Sequence, residues 1–346
     1  MLDITADTLI YSDDPETVHG PPTMPLEGIL YQHDVGAGRT RVFYYHVNGA
    51  AQQRAFGVRV KNLNTTAPTA IRTRGFVADP QGGAHMELRT GHRSSVGFFK
   101  VMGGPWSPAR PIGAGGELIL GVVDVPSGLL ASVYVDVDAD PGAQLRISVV
   151  AATSADRLST IAATGQPFPP DNFGRCGVYD TSNGDGASLT YTAGGAPAVR
   201  IIPGVIVNQR VPADLPHGHS SDAQYAIYTR IEATFENLPG ALPAVAAAYL
   251  VANGGATPAT CWIDGDIVEV GLMTSAPNPP RKRYQLRRYP LGPGETVTST
   301  IVVTIDPSGS APLDVVLDAD DGGLAPGDQV GGSIVFVPGG APWNLA

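Results

Sequence analysis

Two histidines one residue apart, in Pro216-His217-Gly218-His219, followed by Asp222, are the closest approach to a metal site in this chain. Residues i and i+2 of an extended strand point to one face, so both imidazoles could reach one ion. No histidine follows His219, so a third ligand must be a carboxylate, with Asp222 the nearest, or must come from the first half of the chain. The competing reading, a solvated polar loop, is preferred because such clusters are common in turns. Next come His46 in YYHVNG and His92 in TGHRSS, since histidine is the side chain most easily tuned for proton transfer near neutral pH. Neither has a nucleophile or an orienting carboxylate beside it, and no G-x-S-x-G elbow occurs, so both read as structural hydrogen-bonding groups at strand ends. No catalytic residue is expected.

Three acidic runs offer hard oxygen donors for calcium: Asp136-x-Asp138-x-Asp140, Asp180 through Asn183 to Asp185-Gly186, and Asp318-Ala319-Asp320-Asp321. None matches the twelve-residue calcium loop. In the first run, alternation puts the carboxylates on the solvent side of a strand with Val135 and Val137 inward; the third reads as a solvated strand end. The expectation is therefore no cofactor, with calcium as the alternative. Arg281, Lys282, Arg283, Arg287 and Arg288, interleaved with Tyr284 and Tyr289, form a basic strip that could hold an anionic polymer or a partner's acidic patch. Strict alternation places Arg283, Gln285 and Arg287 on one face and Tyr284, Leu286 and Arg288 on the other. Trp106, Trp262 and Trp343 are the large apolar anchors used to stack on sugar rings; Trp262, just before the Ile263-Asp264-Gly265 turn, reads as core. Cys176 and Cys261 leave two alternatives open, one bridge or two reduced thiols.

The elements that must position these residues are strands. Short β-branched and aromatic segments alternate between Gly, Pro, Asn and Asp clusters, and helical periodicity is scarce. In the first half strands are expected at 40–46, 55–62, 70–78, 94–102, 116–125, 129–137 and 145–151. SADRLSTIAAT then suggests a short helix in a turn-rich connector. Strands resume at 188–192, 198–207, 223–236, 245–251, 260–263, 267–273, 283–288, 296–305 and 313–318. Asn48-Gly49 and Asp264-Gly265 suit tight hairpins, and Pro293-Gly294 suits a type II turn. The fold expected is all-β, with two antiparallel β-sandwich domains, immunoglobulin-like or jelly-roll-like, in tandem: residues 1–153, a connector 154–187, and 188–346 with a Gly/Pro-rich tail.

Composition agrees and excludes several function classes. In 346 residues there are 43 glycines and 31 prolines, yet 43% of the chain is hydrophobic, which fits short strands with frequent turns rather than disorder. The balance of 22 basic against 32 acidic residues gives −10, so no broad positive field draws nucleic acid or an anionic membrane. The most apolar stretch, Ala241 to Ala252, contains Pro243 and is shorter than the roughly 20 residues a spanning helix needs. The opening MLDITADTLIYSDDPETV has no basic segment leading into an apolar run, so no signal peptide is expected there.

The stretches Gly28 to Asn64, Thr90 to Lys100 (TGHRSSVGFFK), Gln224 to Asn237, CWIDGDIVEV and RYQLRRYPLGPGETVTSTIVV resemble an uncharacterised group of secreted bacterial β-sandwich proteins. That group occurs in cyanobacteria as a domain of unknown function, and in Gram-positive bacteria beside a copper-amine-oxidase-like module. The cofactor-forming motif of amine oxidases does not occur here. The resemblance implies an extracellular or cell-surface location. The function expected is non-enzymatic: a structural or adhesive protein that binds protein or glycan. The alternatives are a metal-dependent enzyme centred on His217 and His219, and a repeating subunit of a capsid-like or filament-like assembly.

Overall fold

The computed structural model describes residues 2–171, 176–179, 186–202, 225–255, 257–273, 283–307, 312–322 and 341–342. The chain is all-β and sandwich-like, and these residues divide into two compact units. The first holds 2–171, 176–179 and 341–342; the second holds the remainder.

The first unit contains β1 (Thr8–Ser12), β2 (Thr17–His19), β3 (Gly28–Val35), β4 (Gly38–Gly49), β5 (Arg54–Asn62), β6 (Thr69–Val77), α1 (Met86–Met102), β7 (Arg110–Ile112), β8 (Glu117–Val125), β9 (Leu130–Ala139), β10 (Leu145–Ala152), α2 (Leu158–Thr164) and β11 (Cys176–Tyr179). One sheet runs β11-β1-β4-β9-β6, with β2 beside β4 and β7 beside β6; the facing sheet runs β3-β10-β5-β8. Val42, Tyr44, Val133, Val135 and Val137 of the first meet Phe56, Val58, Val60, Ile147 and Val149 of the second in one core. The outer faces are covered too. Helix α1 lies on β6 and β9, and Phe98 stacks on Tyr134 with ring centres 4.7 Å apart. Leu158 and Ile161 of α2 pack on Ala55, Val150 and Ala152 of the other sheet.

Three expectations are corrected here. Residues 94–102 are helix, not strand: Leu88, His92, Ser95, Phe99 and Met102 recur at four- and three-residue intervals on the buried side. Glu87 in the first turn and Lys100 in the last suit the helix dipole. The small residues that weaken the helical signal permit the packing, for a Cβ on Gly97 would run into the Phe76 ring. Second, the supposed connector belongs to this unit, because α2 fills an apolar face and β11 pairs with β1. The same holds for Ala341–Pro342, which pairs with Val77 and Phe76 of β6. Third, Asn48-Gly49 is no hairpin, since β4 and β5 lie in different sheets. The fully buried Asn48 amide donates to the Gln52 and Val125 carbonyls at 2.9 and 2.7 Å and accepts from Ala50 N–H at 3.1 Å, so it pins a crossover.

The second unit contains β12 (Ala187–Thr192), β13 (Ala198–Ile202), β14 (Thr229–Glu236), β15 (Ala244–Ala252), β16 (Thr257–Ile263), β17 (Asp266–Met273), β18 (Arg283–Leu291), β19 (Thr296–Ile305) and β20 (Leu313–Ala319). Its sheets run β12-β14-β19-β16-β17 and β13-β20-β15-β18. Phe235 stacks on Tyr289 across them at 4.0 Å, and the Tyr289 hydroxyl reaches Ser299 Oγ at 2.9 Å. Asp264-Gly265 does form the β16–β17 hairpin, with φ of 50° and 112°. Pro293-Gly294 turns as expected, with Gly294 at φ 72° and Glu295 N–H on the Gly292 carbonyl at 3.1 Å.

The same corner motif occurs separately in each unit. In Asn62-Leu63-x4-Pro68 the buried Asn62 amide donates to the carbonyls of Ala67, Ile112 and Gly113, and its N–H binds Gly116 O. In Asn237-Leu238-x4-Pro243 the Asn237 amide donates to Leu242, Leu291 and Gly292, and its N–H binds Glu295 O. Strand neighbours correspond as well: β5 beside β8 and β6 beside β9 match β14 beside β19 and β15 beside β20. The corner and the strand pairings thus recur in both units; α1 holds the place in chain order of the β16–β17 hairpin but packs on β6 and β9, whereas β16 extends the β14–β19 sheet.

Candidate binding face

In the second unit, β12, β14 and β19 up to Thr300 alternate, so one set of side chains fills the core and the other forms an outer face. Beyond Thr300 that face is closed over, with Val302, Thr304 and Thr260 no more than 1% exposed. Registers align that face in rows: Thr192, Glu236 and Thr296; Thr190, Thr234 and Thr298; Ser188, Glu232 and Thr300; then Arg230, Val302, Trp262 and Ile267. Strand spacing of about 4.8 Å and a two-residue step of about 7 Å make this a regular lattice of hydroxyls. Ser188, Thr190, Thr296 and Thr298 are exposed, and Thr192, Thr234 and Thr300 are half-buried. Thr300 Oγ1 donates to the Glu232 carboxylate at 2.8 Å. At one end the half-buried Trp262 lies between the fully buried Val302 and the half-buried Ile267. Cys261 and Ile263, its sequence neighbours, point into the core, so the core reading of Trp262 is corrected. Asp264 braces this end, accepting from Thr300 N–H at 2.8 Å and from the Ser299 hydroxyl. Aromatic rim, carboxylates, hydroxyls and one guanidinium on a rigid sheet are groups that hydrogen-bond a polyol and stack on its C–H faces.

The basic strip is different in kind. Arg283 pairs with Asp318 at 2.8 Å and Asp321 at 3.4 Å and lies 4.0 Å over the Tyr249 ring; Arg287 pairs with Asp264 and Asp266, and Arg288 with Asp320. Each described arginine of the strip thus has an internal counter-charge, and Asp318, Asp320 and Asp321 are its partners rather than a bare strand end. Tyr284 is buried. A bulge opposite Ala248/Tyr249 resets the alternation, so Arg288 is exposed and Tyr289 and Leu291 turn inward. Arg281, like His217, His219, Asp222, Trp343 and the Asp180–Asp185 run, lies outside the described residues.

Asp136 is not on a solvent face. It is buried beneath α1, taking Arg41 Nε and Nη2 at 2.8 and 3.0 Å and Arg74 at 3.0 Å, while Asp138 pairs with Arg72 at 2.6 Å. Those carboxylates are occupied by guanidinium groups, and no cluster of metal-ligating side chains occurs among the described residues. His46 forms a buried pair with Ser12 (Nε2 to Oγ, 3.0 Å), and its Nδ1 donates to Pro15 O at 2.8 Å. Both side chains are fully enclosed, so the pair braces β1 against β4. His92 is buried within α1.

No family model matches the chain, and no curated protein matches it. Among solved structures it is similar to the N-terminal CBM22-1-CBM22-2 tandem domain of Xyn10C from Paenibacillus barcinonensis, at 11% identity over 79% of this chain and 72% of that one, with a TM-score of 0.15. It is also similar to an anti-sigma factor domain-containing protein, at 9% identity over 87% and 96% with a TM-score of 0.19. A third, of the same description and from Clostridium clariflavum, matches at 9% over 86% and 95%, with a TM-score of 0.18. Likeness at these TM-scores assigns this chain no partner.

Cys176 and Cys261 are free, each buried in its own unit, so the bridge is not formed. Burial, with Asp14 and Asp13 adding to it, pushes the Cys176 thiol up to about 12; burial and Asp306 push Cys261 up as well. Thiolate is the reactive form. Native protein should therefore leave a thiol-specific chromogenic reagent unreacted at neutral pH, and denatured protein should titrate both cysteines. Rapid labelling of the native chain, or no labelling after denaturation, would contradict this.

Proposed function

We propose that this chain is a non-catalytic extracellular or cell-surface β-sandwich module that holds a glycan on the outer face of its second unit. The reading rests on one observation: a lattice of Ser and Thr hydroxyls with Glu232 and Glu236, bounded by Trp262 and Arg230. Trp262 stacks on a sugar ring, and Glu232, Thr300 and Arg230 take its hydroxyls. No helix among the described residues is long and apolar enough to cross a membrane.

Affinity electrophoresis through gels containing neutral or acidic polysaccharides tests the reading. The wild type should be retarded by at least one polymer, and Trp262→Ala should lose about tenfold or more in affinity, the worth of a stacked ring. An unretarded wild type across the panel, or a Trp262→Ala variant retarded like the wild type, would remove the reading.

A further inference from the structure

The hydroxyl face is not a requirement of the fold. With Asn62 of one corner motif matched to Asn237 of the other, Ala55, Gly57 and Arg59 of β5 correspond to Arg230, Glu232 and Thr234 of β14. In the first unit α2 closes that side of the sheet: Leu158 and Ile161 lie on Ala55, Val150 and Ala152, and a Cβ on Gly57 would meet Leu158 at 3.1 Å. In the second unit the matching positions are polar, and Ser188, Thr190, Glu232, Thr296 and Thr298 of that face are exposed. Its charge is mostly of one sign. Glu232 and Glu236 stand within it, Glu295 is exposed at the turn before Thr296, and Asp264 lies at the other end on Thr300 N–H. Against these, Arg230 is the cation of the face among the described residues. The arginines of β18 add no spare positive charge, because Arg283 is matched by Asp318, Arg287 by Asp264 and Asp266, and Arg288 by Asp320.

We infer that the ligand of this face is an uncharged polysaccharide, and that polymers carrying uronate or sulfate groups are turned away. The inference rests on the glycan reading and narrows it. An ionised carboxylate only accepts hydrogen bonds, so Glu232 and Glu236 call for O–H donors, which every sugar hydroxyl supplies and a carboxylate or sulfate ester does not. Serine and threonine hydroxyls donate and accept, so the rows around the two glutamates match a ring hydroxyl in either sense. Thr300 has already given its proton to Glu232, at 2.8 Å, which leaves its lone pairs to accept from a ligand hydroxyl. An anionic ring seated over β14 lies within one lattice step, about 5–7 Å, of Glu232 or Glu236 and is repelled by it. The net charge of −10 adds a longer-range repulsion of the same sign.

Polymers that share a backbone and differ only in charge separate the two classes. Affinity gels would hold hydroxyethyl cellulose against carboxymethyl cellulose, and highly methyl-esterified pectin against the same pectin de-esterified. In at least one pair the neutral member should retard the wild type, with its charged partner about tenfold weaker or more at roughly 20 mM salt. That gap should shrink at roughly 200 mM salt, since screening acts on the charge alone. Glu232→Gln combined with Glu236→Gln should narrow the ratio about threefold or more, whereas a merely structural loss weakens both members alike. A charged member that retards as strongly as its neutral partner, or a ratio untouched in the double variant, overturns the inference and leaves the glycan reading standing. If no polymer retards the protein, the glycan reading itself fails and this inference falls with it.

Discussion

Asp136→Asn should destabilise the first unit by about 3–5 kcal/mol, the cost of leaving buried charge without its partner. The carboxylate sits between the guanidinium groups of Arg41 and Arg74, with all three side chains no more than 2% exposed. Water cannot replace what the amide fails to supply. The same guanidinium groups tie down the end of α1, with Arg41 Nη2 3.5 Å from Met102 Sδ and Arg74 Nη1 3.3 Å from the Met102 carbonyl. Amides of α1 should therefore lose hydrogen-exchange protection before those of the inner strands. Urea unfolding of Asp136→Asn beside Asp34→Asn checks this, because the Asp34–Arg146 pair is over 40% exposed on both sides and contributes at most about 1 kcal/mol. If the two variants shift the midpoint equally, the buried cluster is not what holds the helix down.

The second large effect is acid loss of stability through His46. Burial is the main cause that lowers its pKa from 6.5 to about 4, outweighing the Pro15 hydrogen bond and the charge of Asp171. A folded value below the unfolded one means that the unfolded chain binds the extra proton. Stability is then complete above about pH 6.5 and falls as the pH drops from there to about 4, by about 3 kcal/mol in all. Glu27, Asp34 and Asp320 have lowered values too, led in the first two by hydrogen bonds to Arg157 and Arg146, but they withdraw stability only below their ordinary carboxylate range. The window from pH 6.5 to 5 thus lies clear of them. Melting curves across that window should slope for the wild type and flatten for His46→Asn. A parallel slope in both would assign the acid response to other groups.

Much of the fold was legible because alternation is local. The strands of the second unit read from sequence with edges displaced by a few residues, and even β4 and β9, buried on both faces, kept their β-branched and aromatic signature. What escaped was set by distant partners. The helix α1 carries Gly91, Ser94, Ser95 and Gly97, residues that favour it only because a sheet waits close beneath. Asn48-Gly49 has the composition of a hairpin, but its amide is spent on carbonyls of another strand. The arginines of β18 looked free because their aspartates lie more than 20 residues away in sequence. For Trp262 the signal was present: Cys261 and Ile263 flank it as core residues, so alternation alone would have turned it outward. The repeated Asn-Leu-x4-Pro was also there to be found.

The buried amide at the β4 crossover also bears on how the molecule ages. An asparagine followed by glycine is prone to cyclise, as the glycine nitrogen attacks the side-chain carbonyl carbon and ammonia leaves. Reaching that geometry requires the carboxamide to swing free, and here it is fixed by bonds to Gln52, Ala50 and Val125. Succinimide formation at position 48 is thereby tied to opening of the first unit, and the isoaspartate left behind becomes a chemical record of how long each molecule has spent unfolded.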